Sequence, residues 1–328
     1  MPRALRRLPR IRFSARQLLL AVLLLSVGFT WFSVKWRQAE VQRRAVNRIC
    51  ANRGAVLYEH EDDEGQAHRL MPDFLLEWLG QDFCYDVIVV YIGNPYGSKD
   101  EDLAQLELFP HLKTIDVTGD YTDAGLAYFR KHKDLKCLSF SPNGEFTGTG
   151  LLHLAELKNL KELHIHSKPL SPTGMERLAC LTTLEELYVA VPDDDYAECL
   201  AELTELRTLN LQNSPISGEA LRHLRKLSKL EYVDLFNTKV TGPGMAALAS
   251  LPKLRTLNLS HAPVTDEDLQ RLSESPNLQT LDLWMTEVTD EGVKHLVRIK
   301  SLKRVALPSE VSSAARQQLA SAIPGIRL

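Results

Sequence analysis

The chain repeats itself. "LRTLNLSHAPVTDEDLQRL" (254–272) is followed 24 residues later by "LQTLDLWMTEVTDEGVKHL" (278–296). With L-x-x-L-x-L as a ruler, the same register falls at Val87/Val90/Ile92, Leu112/Ile115/Val117, Leu135/Leu138/Phe140, Leu160/Leu163/Ile165 and Leu184/Leu187/Val189. It continues at Leu206/Leu209/Leu211, Leu230/Val233/Leu235, Leu254/Leu257/Leu259, Leu278/Leu281/Leu283 and Leu302/Val305/Leu307, which makes ten units spaced by 22 to 25 residues. A fixed period of this size is the mark of a repeat architecture, in which each unit is one supersecondary element. A last fragment, "PGIRL", begins an eleventh strand.

Each unit has two halves with different periods. The last two ruler residues alternate with polar ones, as a half-buried strand requires. The second half places Leu269, Leu272 and Leu278 on one face of a helical turn. Thr265 with Asp268 matches a capping box, and Thr289-Asp290 repeats its start. The unit is therefore strand, turn, helix. One unit cannot bury its leucine row alone, whereas a stack merges the rows into one core.

These residues resemble the leucine-rich repeat family. The half-unit "T-x-V-T-D-x-G-L-x-x-L" is similar to the cysteine-containing subclass, here without the cysteine. The resemblance covers 87–328 and implies an α/β solenoid: a curved horseshoe with parallel strands on the concave face and helices on the convex face. Where the commonest family pattern has asparagine at the ninth position, this chain has Ser214, Thr238, Ala262 and Thr286, which bears on loop geometry rather than on the fold. The stretch "FSARQLLLAVLLLSV" is similar to the anchors of single-span leucine-rich repeat proteins from some bacteria.

That N-terminal stretch also has a reading of its own. Arg3, Arg6, Arg7, Arg10, Arg12 and Arg16 all precede the first acidic residue, Glu40, and Leu18 to Val34 carries no charge. As a helix these residues span roughly 26 Å, enough for a bilayer core once Gln17, Trp36 and the basic flanks are included. Trp31, Phe32 and Trp36 stand where an interfacial aromatic belt belongs. A cleavable signal would instead end in small residues, which bulky Trp31, Phe32 and Trp36 replace. Arg6-Arg7 lacks the rest of a twin-arginine motif. Lys35, Arg37, Arg43, Arg44 and Arg48 follow the segment almost as densely, so the positive-inside rule favours a cytoplasmic N-terminus by a narrow margin. The expected plan is a basic tail over 1–16, a transmembrane helix over 17–36, a stalk helix and N-terminal cap over 37–86, and repeats over 87–328. Within the cap, "AVLYEHEDDEGQ" reads as a strand entering a polar turn and "PDFLLEWLG" as a short helix.

The net charge of −3 supplies no general attraction to nucleic acid. Five cysteines, Cys50, Cys84, Cys137, Cys180 and Cys199, show no paired spacing and announce no disulfide framework.

Nine steps of roughly 4.8 Å between strands give an inner surface about 43 Å long, enough to engage a protein. Function then falls to the polar strand positions, since the leucines are committed to the core. The fifth position carries Asp116, Ser139, His164, Tyr188, Asn210, Asp234, Asn258 and Asp282. The seventh carries Thr118, Ser141, His166, Ala190, Gln212, Phe236, Ser260 and Trp284. Phe236 and Trp284, flanked by Asp234 and Asp282, have the composition of an anchor ringed by polar contacts. The expected binding residues are Tyr188, Asn210, Asp234, Phe236, Asn258, Asp282 and Trp284. In the competing reading the aromatics lean on neighbouring strands and the Asn/Asp row satisfies edge amides.

One constellation has chemical potential. In "ELHIHSK", His164 and His166 share a face beside Glu162, with Cys137 and Glu186 on adjoining strands. Phosphate-binding loops, H-E-x-x-H and G-x-S-x-G are missing from the sequence. "PDDDY" (192–196) lacks calcium-loop spacing and reads as a helix cap. The expectation is a membrane-anchored, non-catalytic interaction protein without a cofactor, binding a protein partner and no nucleic acid, with its repeats outside the cytoplasm. The alternatives are a metal-dependent or hydrolytic envelope enzyme using His164, His166 and Glu162, and a structural envelope protein that self-associates.

Overall fold

The computed structural model describes residues 14–59, 72–93 and 98–328. The basic tail up to residue 13 and the polar turn expected after the first strand lie outside these. Helix α1, Ala15–Ala51, runs without a break through both the expected transmembrane segment and the expected stalk. Ser14 caps it, and its reciprocal bonds with Gln17 complete a capping box. The chain then turns at Arg53 (φ 64°) and Gly54 into β1, Ala55–Tyr58. Two short helices, α2 (Asp73–Leu79) and α3 (Gln81–Cys84), meet at Gly80.

Among the described residues, ten further strands follow: β2 (Val87–Gly93), β3 (Thr114–Gly119), β4 (Cys137–Pro142), β5 (Glu162–Ile165), β6 (Glu186–Tyr188) and β7 (Thr208–Asn210). The series ends with β8 (Tyr232–Asp234), β9 (Thr256–Asn258), β10 (Thr280–Asp282) and β11 (Arg304–Ala306). All eleven form one sheet in sequence order, with β1 antiparallel on β2 and every later pair parallel. Equivalent ruler residues pair directly, as Leu257 does with Leu281 and Leu281 with Val305. The start of an eleventh repeat is visible as a bridge between Arg304 and Arg327.

The leucine rows merge into one continuous core that runs from the first repeat to the last. Each fully buried leucine is worth roughly 1.5–3 kcal/mol, so the stack gains its stability from neighbours rather than from any single unit. The connections differ from the expected uniform α-helices. Among the described residues, those of repeats near the N-terminus and middle are 3₁₀ helices, at Asp100–Leu108, Asp123–Lys131, Thr149–Leu154, Asp195–Glu202 and Ala220–Lys226. In a 3₁₀ helix residues three apart eclipse, which lines up Leu103, Leu106 and Phe109 toward the core. The others are α4 (Pro172–Leu178), α5 (Pro243–Ala249), α6 (Asp266–Leu272), α7 (Asp290–Leu296) and α8 (Ser313–Ala322).

The recurring Thr-Asp pair is an inter-repeat clip. Thr289 donates both its amide and its hydroxyl to Asp266 one repeat earlier, at 2.8 and 2.7 Å. Asp100 holds Thr122, Asp123 holds Thr147, Asp194 holds Ser217 and Asp290 holds Ser312 in the same way. Two bonds to an ionised carboxylate are strong for surface interactions. At Asp290 the Ser312 hydroxyl and amide hold the carboxyl below its ordinary range. "PDDDY" takes part in this device: Asp194 serves the next repeat, while Asp193 accepts from the Asp195 amide at 3.1 Å at the start of its own helix. Asp266→Ala is expected to cost about 2 kcal/mol of stability, since hydrogen bonds to charged groups contribute roughly 1.5–3 kcal/mol. A urea titration reads this as a lower midpoint with an unchanged slope.

The ninth-position residues show how the loop manages without asparagine. Thr238 and Thr286 bond back to the carbonyls of Leu235 and Leu283, each at 2.7 Å, and the buried Ser214 hydroxyl accepts from the Val191 amide.

Candidate functional site

Parallel pairing puts the fifth-position residues into one row across the sheet, His164 beside Tyr188, Asn210, Asp234, Asn258 and Asp282. At the N-terminal side of the strands, Lys161, Glu185, Arg207, Glu231 and Arg255 alternate in sign over consecutive repeats. Glu185 meets Lys161 at 3.0 Å and Arg207 at 3.5 Å, and Glu231 meets Arg207 at 3.0 Å. That edge is electrostatically self-satisfied, which leaves the C-terminal ends of the strands as the side with free chemistry.

Most of the Asn/Asp row is occupied locally. Asn210, Asp234, Asn258 and Asp282 each accept from the backbone amide two residues on, at 2.9 to 3.0 Å, forming Asx turns that direct the chain out of the strand. Asn210 and Asp234 are buried. Asp234 also receives the Tyr232 hydroxyl and the Asn258 amide, each at 3.1 Å. The competing reading of the row, as partners for edge amides, thus describes these side chains. Burial, with the nearby Asp234 carboxylate, pushes the Tyr232 phenol upward.

Beyond these turns the chain passes through left-handed residues at Asn213, Asn237, His261 and Met285, with φ between 53° and 59°. Non-glycine residues rarely take this conformation, and asparagine and histidine are among those that take it best. At His261 the turn has a chemical result. Its ring sits edge-on between Phe236 and Trp284, with centroids 4.9 Å from each. Ser260 is buried and small, so the seventh position leaves a gap in the middle repeat that the eighth-position histidine fills. Phe236 is half-buried, whereas Trp284 is 52% exposed and its neighbour Met285 56%. Three repeats thereby present one continuous aromatic row. Counting fifth and seventh positions missed His261; a histidine in register with Asn213 and Asn237 was the available signal.

Tyr188 and Asn210 lie elsewhere, in a cleft of about 220 Å³ that His166, Gln212 and Asn213 also line. Asn237 donates to Asn213 at 2.8 Å and links the cleft to the aromatic row.

The histidine pair is arranged differently from a metal site. His164 Nε2 lies 3.1 Å from Glu186 Oε1, and its ring meets Tyr188 edge-on at 4.2 Å. Burial holds the His164 imidazole below its ordinary range, with Glu186 opposing in part. The Cys137 thiol is pushed up to about 12 by burial and by its bond to Glu162, so it stays protonated at neutral pH. Among the described residues, no group of three His, Cys, Asp or Glu is placed to hold a metal ion. All five cysteines are unpaired.

A stack of strand-turn-helix units closed by an antiparallel strand at one end, with an open row of strand ends, is an α/β repeat solenoid. The chain belongs to the leucine-rich repeat family: residues 148–323 match the family's description as a leucine-rich repeat region. Solved structures similar to it include internalin C2 of Listeria monocytogenes, with 24% identity, 62% of this chain and 83% of that one covered, and a TM-score of 0.46. Internalin F of the same organism matches with 15% identity over 77% of this chain and 92% of that one, at a TM-score of 0.45. A chain of the yeast Rad7–Elc1 complex matches with 15% identity over 97% of this chain and 98% of that one, at 0.42. No curated protein matches the sequence.

Leucine-rich repeat regions typically serve protein–protein interaction and are generally not catalytic. Among the described residues one helix, α1, is long and apolar enough to cross a membrane, and its apolar window is not buried.

Proposed function

We propose that the chain is a membrane-tethered recognition module: α1 anchors it, and the repeats, outside the cytoplasm, bind a protein along the C-terminal ends of the strands. The observation that carries this reading is the Phe236–His261–Trp284 row, which runs over three adjacent repeats from half-buried Phe236 and His261 to the exposed Trp284. Exposed aromatic rings on a rigid sheet cost little entropy to fix and typically dominate interface energetics. In this reading Phe236 and Trp284 are the anchors, and Tyr188 extends contact to the neighbouring cleft. Asn210 and Asp234, both buried, hold the strand ends in shape, while the half-buried Asn258 and Asp282 also stand at the rim.

The test is in-cell crosslinking with mass spectrometry on the full-length protein, comparing the native chain with a Phe236→Ala, Trp284→Ala variant whose thermal melt is unchanged. Loss of each ring is expected to weaken binding by about 2 kcal/mol, roughly 30-fold, so that one crosslinked partner disappears. Unchanged crosslinks in the folded variant would remove the row from the binding site.

A further inference from the structure

The short helices between the anchor and the repeats carry apolar surface of their own. Phe83 of α3 meets three rings of α1: Phe32 at 5.4 Å, Trp36 at 6.2 Å and Trp31 at 6.5 Å. Leu79 and Ala39 complete this small core, separate from that of the repeats. Polar bonds lock the contact in place. Arg43 Nε donates to Asp82 at 3.3 Å, Tyr58 donates to the other Asp82 oxygen at 2.8 Å, and the Gln42 amide donates to the Tyr85 carbonyl at 3.2 Å.

This attachment fixes depth. Trp31, Phe32 and Trp36 stand at the end of the uncharged run that closes at Val34. If that run fills the hydrocarbon layer, positions 31–36 straddle its boundary with the lipid headgroups, and anything packed on them lies at that boundary too. On α2, Phe74 and Trp78 are four residues apart, hence on one side of the helix, and are 67% and 71% exposed. Trp78 also closes a groove of about 700 Å³ with Phe29, Phe32 and Trp36, which the charged Arg37, Glu40 and Arg44 line as well. Lys35 and Arg37 stand at the same level of α1, suited to anionic headgroups.

We infer that α2 and α3 form a foot seated in the headgroup layer of the membrane, with Phe74 and Trp78 inserted at the lipid surface, so that the repeat domain stands at a fixed angle instead of swinging on a free stalk. This rests on α1 being a membrane anchor. Interfacial tryptophan favours this depth because its amphipathic ring gains apolar contact while the indole N–H stays hydrated, and Phe74 adds purely apolar contact beside it.

The full-length protein, labelled with 5-fluorotryptophan and reconstituted in vesicles of phosphatidylcholine and phosphatidylglycerol, gives a fluorine resonance for each tryptophan. Trp78→Phe identifies one of them, and the corresponding variants at 31, 36 and 284 identify the others. A lipid spin-labelled near the top of its acyl chain is expected to remove most of the Trp78 signal, as for Trp36, and to spare Trp284. A water-soluble gadolinium chelate is expected to do the reverse. Trp31 quenched by lipid while Trp78 responds only to the chelate would overturn the foot and leave the anchor standing. Trp31 open to the chelate would overturn both. Trp78 shielded from both probes would mean that protein covers it, and would likewise overturn the foot.

Discussion

Gly218→Ala is expected to break the repeat stack at its middle. A Cβ on Gly218 would stand 1.8 Å from the Thr241 carbonyl oxygen and 3.1 Å from the Gly244 nitrogen, both backbone atoms of the next repeat. Residue 218 occupies the place where other repeats carry the clip aspartate, such as Asp194 or Asp266. Without that carboxylate the two backbones close directly on each other, and only hydrogen fits between them. Backbone cannot rotate away as a side chain can, so the cost should reach or exceed about 3 kcal/mol, the upper end for overpacking. In a solenoid the damage falls on one nearest-neighbour interface. Denaturant unfolding of the variant is therefore expected to separate into two transitions, one for the repeats on each side. Glu219→Ala next to it, which removes only an exposed pair with Arg222, should change stability by no more than about 0.5 kcal/mol.

His132→Leu is expected to stabilise the protein, and more so in acid. The column that holds Phe109, Leu157, Leu181, Leu227 and Ile299 has histidine here, 1% exposed, with neither ring nitrogen hydrogen-bonded. Burial lowers the His132 pKa from its ordinary 6.5; Glu107 and the nearby Phe109 carbonyl, which falls short of hydrogen-bond geometry, oppose this only in part. Leaving buried polar atoms unsatisfied costs about 1–3 kcal/mol, and leucine removes that cost at neutral pH. The unfolded chain binds a proton near pH 6.5 that the folded chain refuses until a lower pH. Native stability attributable to this group is therefore intact above that value and falls as pH drops through the window below it, at up to about 1.4 kcal/mol per pH unit. Urea midpoints of the native chain and the variant should diverge as pH falls from 7 to 5. Parallel curves would mean that the ring is solvated or bonded. Ser275, the other buried polar side chain without a partner in this column, marks a second place where the repeat is imperfect.

Much of this was legible from period alone. The ruler placed strand cores such as Leu257 and Leu281, and their burial and in-register pairing follow from stacking. The capping box at Thr265 and the helix at "PDFLLEWLG" are local signals and appear where expected. What escaped involves neighbours one repeat away. The clip needs Asp266 and Thr289 read together across 23 residues, whereas helix-cap logic looks three residues along the chain. The Asn/Asp row was placed correctly in sequence, but Asp234 is buried because Tyr232 and Asn258 close over it. His261 joined the aromatic row only through a left-handed backbone turn, which residue spacing does not report. The choice between 3₁₀ and α-helical connections likewise left no clear trace in composition.

The central claim, recognition by the exposed aromatic row, is tested most directly by a photoreactive benzoylphenylalanine placed in the full-length protein in its own cells. One variant carries it in place of Trp284, and another in place of Lys294 on the exposed side of α7. The account predicts a discrete adduct with another protein from position 284 and none from position 294. A partner captured from 294 and not from 284 would contradict it, and would move recognition to the convex face.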